Sequence, residues 1–215
     1  MPGSPLRILQ LYPKGDFFTG AAMQLHDLAA GLAARGHHVT VATPPGDVWP
    51  ERCRAVGVEH VAVPMARAWD PRAAWRLARV IRRQHIQVAH AHKGRARTVA
   101  LLAGLMGGRT LLVLNRGVSF PVTGVRRRIG YSTGRVQAIV AVCESIKRGL
   151  VAGGVPAEKI EVIYSGTDLE RFHPGVDGGP IRRELGLGRD DRLVTQVGVR
   201  SWRGWRELKI GRAHV

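Results

Sequence analysis

The stretch from Leu6 to Thr43 constrains the fold more tightly than any other part of the chain. Leu6, Ile8, Leu9 and Leu11 make a short apolar run of strand length, followed by a turn-rich loop, Tyr12 to Gly20, that contains Gly15 and Gly20. Ala21, Leu25, Leu28 and Leu32 then recur at helical spacing, with Ala22, Ala29 and Ala33 widening the stripe and Gly36 placed as a helix stop. His38–Thr43 returns to strand character. Strand, glycine loop, helix, glycine, strand is the opening unit of an α/β fold: a Rossmann-like parallel sheet with helices on both faces and right-handed crossovers.

The rest of the chain repeats that alternation. Further strands are expected at Val58–Val63, Ile86–Ala91, Thr110–Leu114 and Ala138–Val142. Asp70 caps a helix that starts at Pro71 and buries Ala74, Leu77, Ala78 and Ile81, with Trp75 beside that stripe reading as core. Thr98–Met106 is a helix ended by Gly107 and Gly108, and Ser145 is placed to cap a helix over 146–151 that Gly153 and Gly154 end. Ile160, Val162 and Tyr164 alternate as a strand into Gly166, after which Asp168 caps a turn that Pro174 stops. A glycine-rich linker, a helical turn at 181–185 and a strand at Leu193–Val197 follow.

Charge narrows the function classes. The net charge is +17, yet 28 of the 33 basic residues are arginine, a bias that a GC-rich genome produces without any anionic partner. No basic stripe interleaved with aromatics accompanies it, so nucleic acid is not the expected partner. Arg126, Arg127 and Arg128 form the most concentrated basic cluster, either a solvated helix face or a loose contact with an anionic inner-membrane surface. No apolar run reaches the ~20 residues of a membrane span, and Met1–Pro5 lacks signal-peptide order, so a cytoplasmic protein is expected. Cys53 and Cys143 lie in unrelated segments and suggest neither a disulfide framework nor a thiolate metal site.

In open α/β sheets ligands bind outside the carboxyl ends of the strands, which selects the candidate residues. Gly15 and Gly20 sit where a loop leads backbone N–H groups to a helix N-terminus, a place suited to an anion. Their spacing is not G-x-G-x-x-G, and the second strand runs into Thr43, Pro44, Pro45 and Gly46 rather than an acidic residue, which argues against a dinucleotide dehydrogenase. His90 and His92 share one face at a strand end; no third ligand lies near them in sequence, so no metal is expected. Arg116, Glu144 and Ser145 also leave strand ends, while Cys143 has no base partner that would make it a nucleophile.

The segment KIEVIYSGTDLERFHP, Lys159 to Pro174, closely resembles the closing segment of the N-terminal half of family 4 glycosyltransferases, with Ser165 for the usual Asn and Thr167 for the usual Val. The resemblance implies a retaining, metal-independent enzyme with two Rossmann-like domains (the GT-B type), a nucleotide diphospho-sugar donor, no cofactor, and a glycan or lipid-linked acceptor. It assigns residues 1–174 to the acceptor-side domain, 175–191 to a linker and 192–208 to the first strand and loop of the donor-binding domain. His92 would then approach donor sugar and acceptor hydroxyl, with His90 as second choice. Gly15 and Gly20 would meet donor phosphate or acceptor, and Glu144 and Ser145 stand at the family's V-S-E-like element. Arg200 and Arg203 would meet the donor diphosphate, while Trp202 and Trp205 read as packing.

The Glu-x7-Glu carboxylates that the resemblance also implies would lie beyond Leu208. Ile210–Val215, IGRAHV, matches the translation of a common sequencing adapter, so Lys209–Val215 is expected to be non-native and the fragment inactive by itself. Genomic DNA carrying those codons inside unrelated native sequence would refute this. Two other classes remain open: a stand-alone Rossmann-like nucleotide-binding module, and a basic protein that binds membranes or polyanions.

Overall fold

The computed structural model describes residues 4–17, 19–118, 122, 124–188 and 190–195. One compact unit ends at Gly166 and a second begins at Thr167. The first contains seven strands: β1 (Arg7–Leu11), β2 (His38–Thr43), β3 (Glu59–Ala62), β4 (Val88–His92), β5 (Leu111–Arg116), β6 (Val136–Ala141) and β7 (Ile160–Val162). They form one sheet in the order β3-β2-β1-β4-β5-β6-β7, with every neighbouring pair parallel. The order reverses at β1, so the connections leaving the carboxyl ends of β1 and β4 diverge to opposite faces, the place where open α/β sheets generally bind ligands.

Helices cover both faces. Alternation along β1 and β2 sends Tyr12, Val39 and Val41 to one side, where α1 (Gly20–Ala34) and α2 (Val48–Ala55) bury Ala22, Leu25, Ala29, Trp49 and Cys53 against them. Leu9, Leu11, Ala89, Ala91, Leu112 and Leu114 face the other way, toward α3 (Pro71–Arg83), α4 (Lys93–Leu105) and α6 (Glu144–Ala152). A short α5 (Val125–Ser132) precedes β6. Small residues bring the polypeptide close at the turn after α4. A Cβ on Gly108 would lie 2.9 Å from the Ala103 carbonyl oxygen and 3.1 Å from the Ala78 Cα.

Local chemistry accounts for several boundaries. Asp70 Oδ1 accepts from the amides of Arg72 and Ala73, both at 3.0 Å, and caps α3 with Pro71 at its first position. Gly36, at φ +86°, adopts the left-handed conformation that ends α1. In the second unit, Asp168 Oδ1 accepts from Glu170 and Arg171 amides at 2.9 and 3.2 Å, as expected of a capped turn. Asp177 holds the Gly179 amide at the start of α7 (Gly179–Glu184).

Other expectations are corrected. Helix α2 had no sequence counterpart, α5 was anticipated only as a helix face at 126–128, and α4 begins at Lys93 rather than Thr98. Ser145 is not the cap of α6. It lies exposed inside the first turn, and the N-cap position belongs to Cys143, which makes no side-chain cap bond. Leu28 and Tyr164 are exposed, and β7 ends before Tyr164. Trp75 is 50% exposed rather than core, because the apolar stripe of α3 centres on Leu77, Ala78 and Ile81 and places position 75 on the outer flank. Residues 193–195 form no strand, and 196–208 lie outside the described residues.

These placements separate two neighbouring substitutions. Leu77→Ala opens a cavity in a fully buried position and is expected to cost about 2–5 kcal/mol in urea unfolding. Trp75→Ala is expected to cost less than about 1 kcal/mol.

Candidate functional site

Open α/β sheets bind ligands outside the carboxyl ends of their strands, which here are the last residues of β1, β4 and β5 with the loop that enters α1. Two aromatic contacts secure that loop. Phe17 meets Trp49 edge-on, with ring centroids 5.0 Å apart, and Tyr12 lies 5.6 Å from the same indole. Arg52 covers Phe17 at 4.0 Å. The loop is therefore anchored by α2. Thr19 caps α1 through Ala22 N at 3.3 Å, and its hydroxyl bonds Tyr12 OH at 2.7 Å.

Register explains the polar centre. Gln10 pairs with His90 across β1 and β4, and His92 pairs with Asn115 across β4 and β5. Since side chains alternate, Gln10, His90, His92 and Asn115 share one face of the sheet. His92 is 2% exposed. Its Nε2 lies 2.8 Å from Gln10 Oε1 and its Nδ1 lies 3.0 Å from Asn115 Nδ2. Both contacts are satisfied when neutral His92 donates from Nε2 and accepts at Nδ1.

The environment enforces that neutral state. Burial drives the His92 pKa well below the ordinary value, with neighbouring His90 and Lys93 adding in the same direction. The His90 ring lies 4.4 Å from that of His92, and burial lowers its pKa to about 4. Unlike His92, His90 retains a buried Nε2 with no partner among the described residues; Asn115 Oδ1 is in the same condition. Two polar atoms beside the buried histidine are thus left to a ligand or solvent.

Lys93 follows directly. Its backbone is left-handed, φ +71°, which is costly for a residue with a side chain and cheap for glycine. Its ammonium donates to Tyr12 OH at 3.0 Å and lies 4.8 Å from that ring's centroid. Among the described residues no carboxylate pairs with it. In the loop, Asp16 has one oxygen near Lys14 at 3.4 Å and the other buried without a partner among the described residues.

The remaining candidates separate. Gly15 and Gly20 flank the loop, but a Cβ at Gly15 would come no nearer than 3.6 Å to other atoms and one at Gly20 would meet nothing within 4 Å. What those positions offer is backbone amides at the start of α1, not space that only glycine allows. Arg116 ends β5 beside Asn115 but on the opposite face, where Nη1 donates to Tyr131 OH at 3.1 Å. Glu144 and Ser145 are exposed at the end of β6. Arg200 and Arg203 lie outside the described residues, and the described residues contain no group of three His, Cys, Asp or Glu able to hold a metal.

Gln10, Tyr12, Thr19, Lys93 and Asn115 complete the site and were not singled out from sequence. Gln10 had one usable signal, a polar side chain inside an otherwise apolar strand. The others depend on register and loop path.

A doubly wound parallel sheet in this strand order defines a Rossmann-like domain. Residues 18–171 match the family model of Glycosyltransferase Family 4, and the chain belongs to that family. Its fold is similar to a glycosyltransferase from Rickettsia africae ESF-5, with TM-score 0.70 and 17% identity over 87% of this chain and 51% of that one. HepE of Anabaena, solved in complex with UDP-glucose, superposes with TM-score 0.66 and 20% identity over 84% of this chain and 50% of its own. The sucrose-phosphate synthase of Thermosynechococcus elongatus gives TM-score 0.63 and 15% identity, covering 86% and 53%. The chain thus spans about half the length of these structures. No curated protein matches it.

The two depressed histidines set a pH dependence. Below the ordinary value of 6.5 the unfolded chain takes up protons that folded His90 and His92 refuse, so stability is complete above pH 6.5 and falls as pH drops toward 4. For His90 alone, the loss between pH 7 and pH 5 is roughly 2 kcal/mol. Urea midpoints should show this slope, and His90→Asn should reduce it.

Proposed function

We propose that this chain forms the acceptor-side half of a glycosyltransferase that moves a sugar from a nucleotide diphospho-sugar to an acceptor hydroxyl with retention of configuration. The observation that carries the reading is the pair of buried polar atoms, His90 Nε2 and Asn115 Oδ1, beside the neutral His92 at the sheet reversal. Sugar hydroxyls both donate and accept, which suits such a pair. UDP-glucose in the complex of the similar HepE supports a nucleotide-sugar donor.

In this reading the bond from the anomeric carbon to the diphosphate oxygen breaks, a bond to the acceptor oxygen forms on the same face, and the acceptor proton passes to the departing diphosphate. His92, bonded through both ring nitrogens, positions Asn115 rather than touching substrate. His90 meets a sugar hydroxyl, and Lys93 with the amides that open α1 faces the developing negative charge. Among the described residues no carboxylate bonds to His90 or His92, which is compatible with a reaction driven by leaving-group stabilisation rather than by a protein nucleophile. Arg200 and Arg203 are assigned to the donor diphosphate, and the second Rossmann-like domain completes the cleft. The acceptor is a glycan or a lipid-linked sugar handled on the cytoplasmic side.

The test is to sequence the source locus beyond the Leu208 codon, express the complete protein and assay it with sugar nucleotides. Transfer with an unchanged anomeric configuration is expected; a protein that binds nucleotide but transfers nothing would overturn the reading. Asn115→Leu is expected to lower kcat/KM about 100-fold, because it removes a positioned polar group. Lys93→Met should cost about 10- to 100-fold, the value of a hydrogen bond to a charged group.

A further inference from the structure

The net charge is concentrated in one segment. From Pro71 to Cys143 there is no Asp or Glu, yet the segment carries thirteen arginines and Lys93, so it holds fourteen of the seventeen net charges. Genome composition can favour arginine over lysine, but it does not explain 73 consecutive residues without an acid. The segment begins with α3. Arg72, Arg76, Arg79 and Arg83 recur at spacings of four, three and four residues and make a single stripe opposite the buried Leu77 and Ile81.

Apolar groups interrupt this basic face. Trp75 lies along the stripe at 50% exposure, with the Arg79 guanidinium 4.6 Å from its ring. Trp69, 68% exposed, stands just before the Asp70 cap. At the other end Arg82 Nη1 donates to the Met106 carbonyl at 3.0 Å, which brings exposed Met106 and Leu105 beside the end of α3. Tryptophan and long apolar side chains gain from entering a lipid headgroup region, and arginine can reach phosphate while its stem lies on apolar surface.

We infer that the outer face of α3, with the adjacent end of α4, docks the protein on an anionic membrane surface. The helix lies flat, its buried stripe on the sheet and its arginine stripe on lipid phosphate, over a length of about 20 Å. Charge alone would fit any polyanion. The four exposed apolar side chains at both ends and along the stripe favour a bilayer, where they lose contact with water. This element is distinct from the basic cluster at 126–128, and the inference is independent of the sugar-transfer reading.

The test is co-sedimentation of the whole chain with phosphatidylcholine vesicles, with and without phosphatidylglycerol. Binding should require phosphatidylglycerol and weaken with salt. Combined Arg76→Gln, Arg79→Gln and Arg83→Gln should lower binding about 100-fold, close to five-fold per side chain. The pair Arg35→Gln and Arg54→Gln, exposed on the α1 and α2 side, should change it less than about two-fold. Trp75→Ala removes no charge and should weaken vesicle binding several-fold while leaving binding to heparin unchanged. Equal binding to neutral vesicles, an equal loss from the control pair, or vesicle binding indifferent to Trp75→Ala would each overturn the inference. None of these readouts depends on sugar transfer, so failure here leaves that reading standing.

Discussion

Parallel pairing of all the strands is the constraint on which the rest of this domain depends. Because every strand points the same way, every strand end that can carry chemistry falls on one edge. The reversal at β1 then decides where along that edge a ligand fits, since the chain leaves β1 for one face and β4 for the other. Register finishes the construction. A slip of one residue between β1 and β4 would turn either Gln10 or His92 into the apolar layer under α3 and α4, where neither could find the other.

The polar layer is therefore a consequence of packing on its reverse side. Ala89 and Ala91 alternate with His90 and His92, and the alanines are small enough for α3 and α4 to approach the sheet. Burying His92 is tolerable because Gln10 and Asn115 satisfy both nitrogens, and the result is an imidazole that stays neutral in a basic neighbourhood. A histidine so fully engaged controls where Asn115 points. Its neighbour His90 keeps one buried ring nitrogen with no partner among the described residues.

Much of this was legible in the sequence where short-range rules dominate. The bounds of β2, the Asp70 cap, the Gly36 stop and the strand ends bearing His90 and His92 follow from alternation, capping and glycine conformation. The failures have equally physical sources. Helix α2 is hidden by Pro44, Pro45, Gly46 and Pro50, yet Pro50 lies in its first turn, where the missing amide costs nothing. Ser145 has the chemistry of a cap but not the position, because α6 begins two residues earlier than its apolar pattern suggests. Trp75 looked like core since indoles usually are, whereas the angle of its position around α3 places it outside. Gln10 and Asn115, 105 residues apart, bond the two sides of the same His92 ring, and Tyr12 meets Lys93, only because sheet order brings their strands together.

Lys93 occupies a backbone conformation that ordinarily selects glycine. The turn from β4 into α4 requires a left-handed residue, and Gly94 is the next position along; a one-residue exchange would have placed glycine where it costs least. The chain instead keeps a lysine there, at a conformational cost on the order of 1 kcal/mol. Its ammonium joins Tyr12, Thr19 and the first turn of α1 in one hydrogen-bonded line. That line links the ammonium to the amino end of α1, and Lys93 directly follows the neutral imidazole of His92. The left-handed backbone at residue 93 sets a cation directly after a buried neutral imidazole, so charged and neutral hydrogen-bonding groups lie side by side at the carboxyl end of β4.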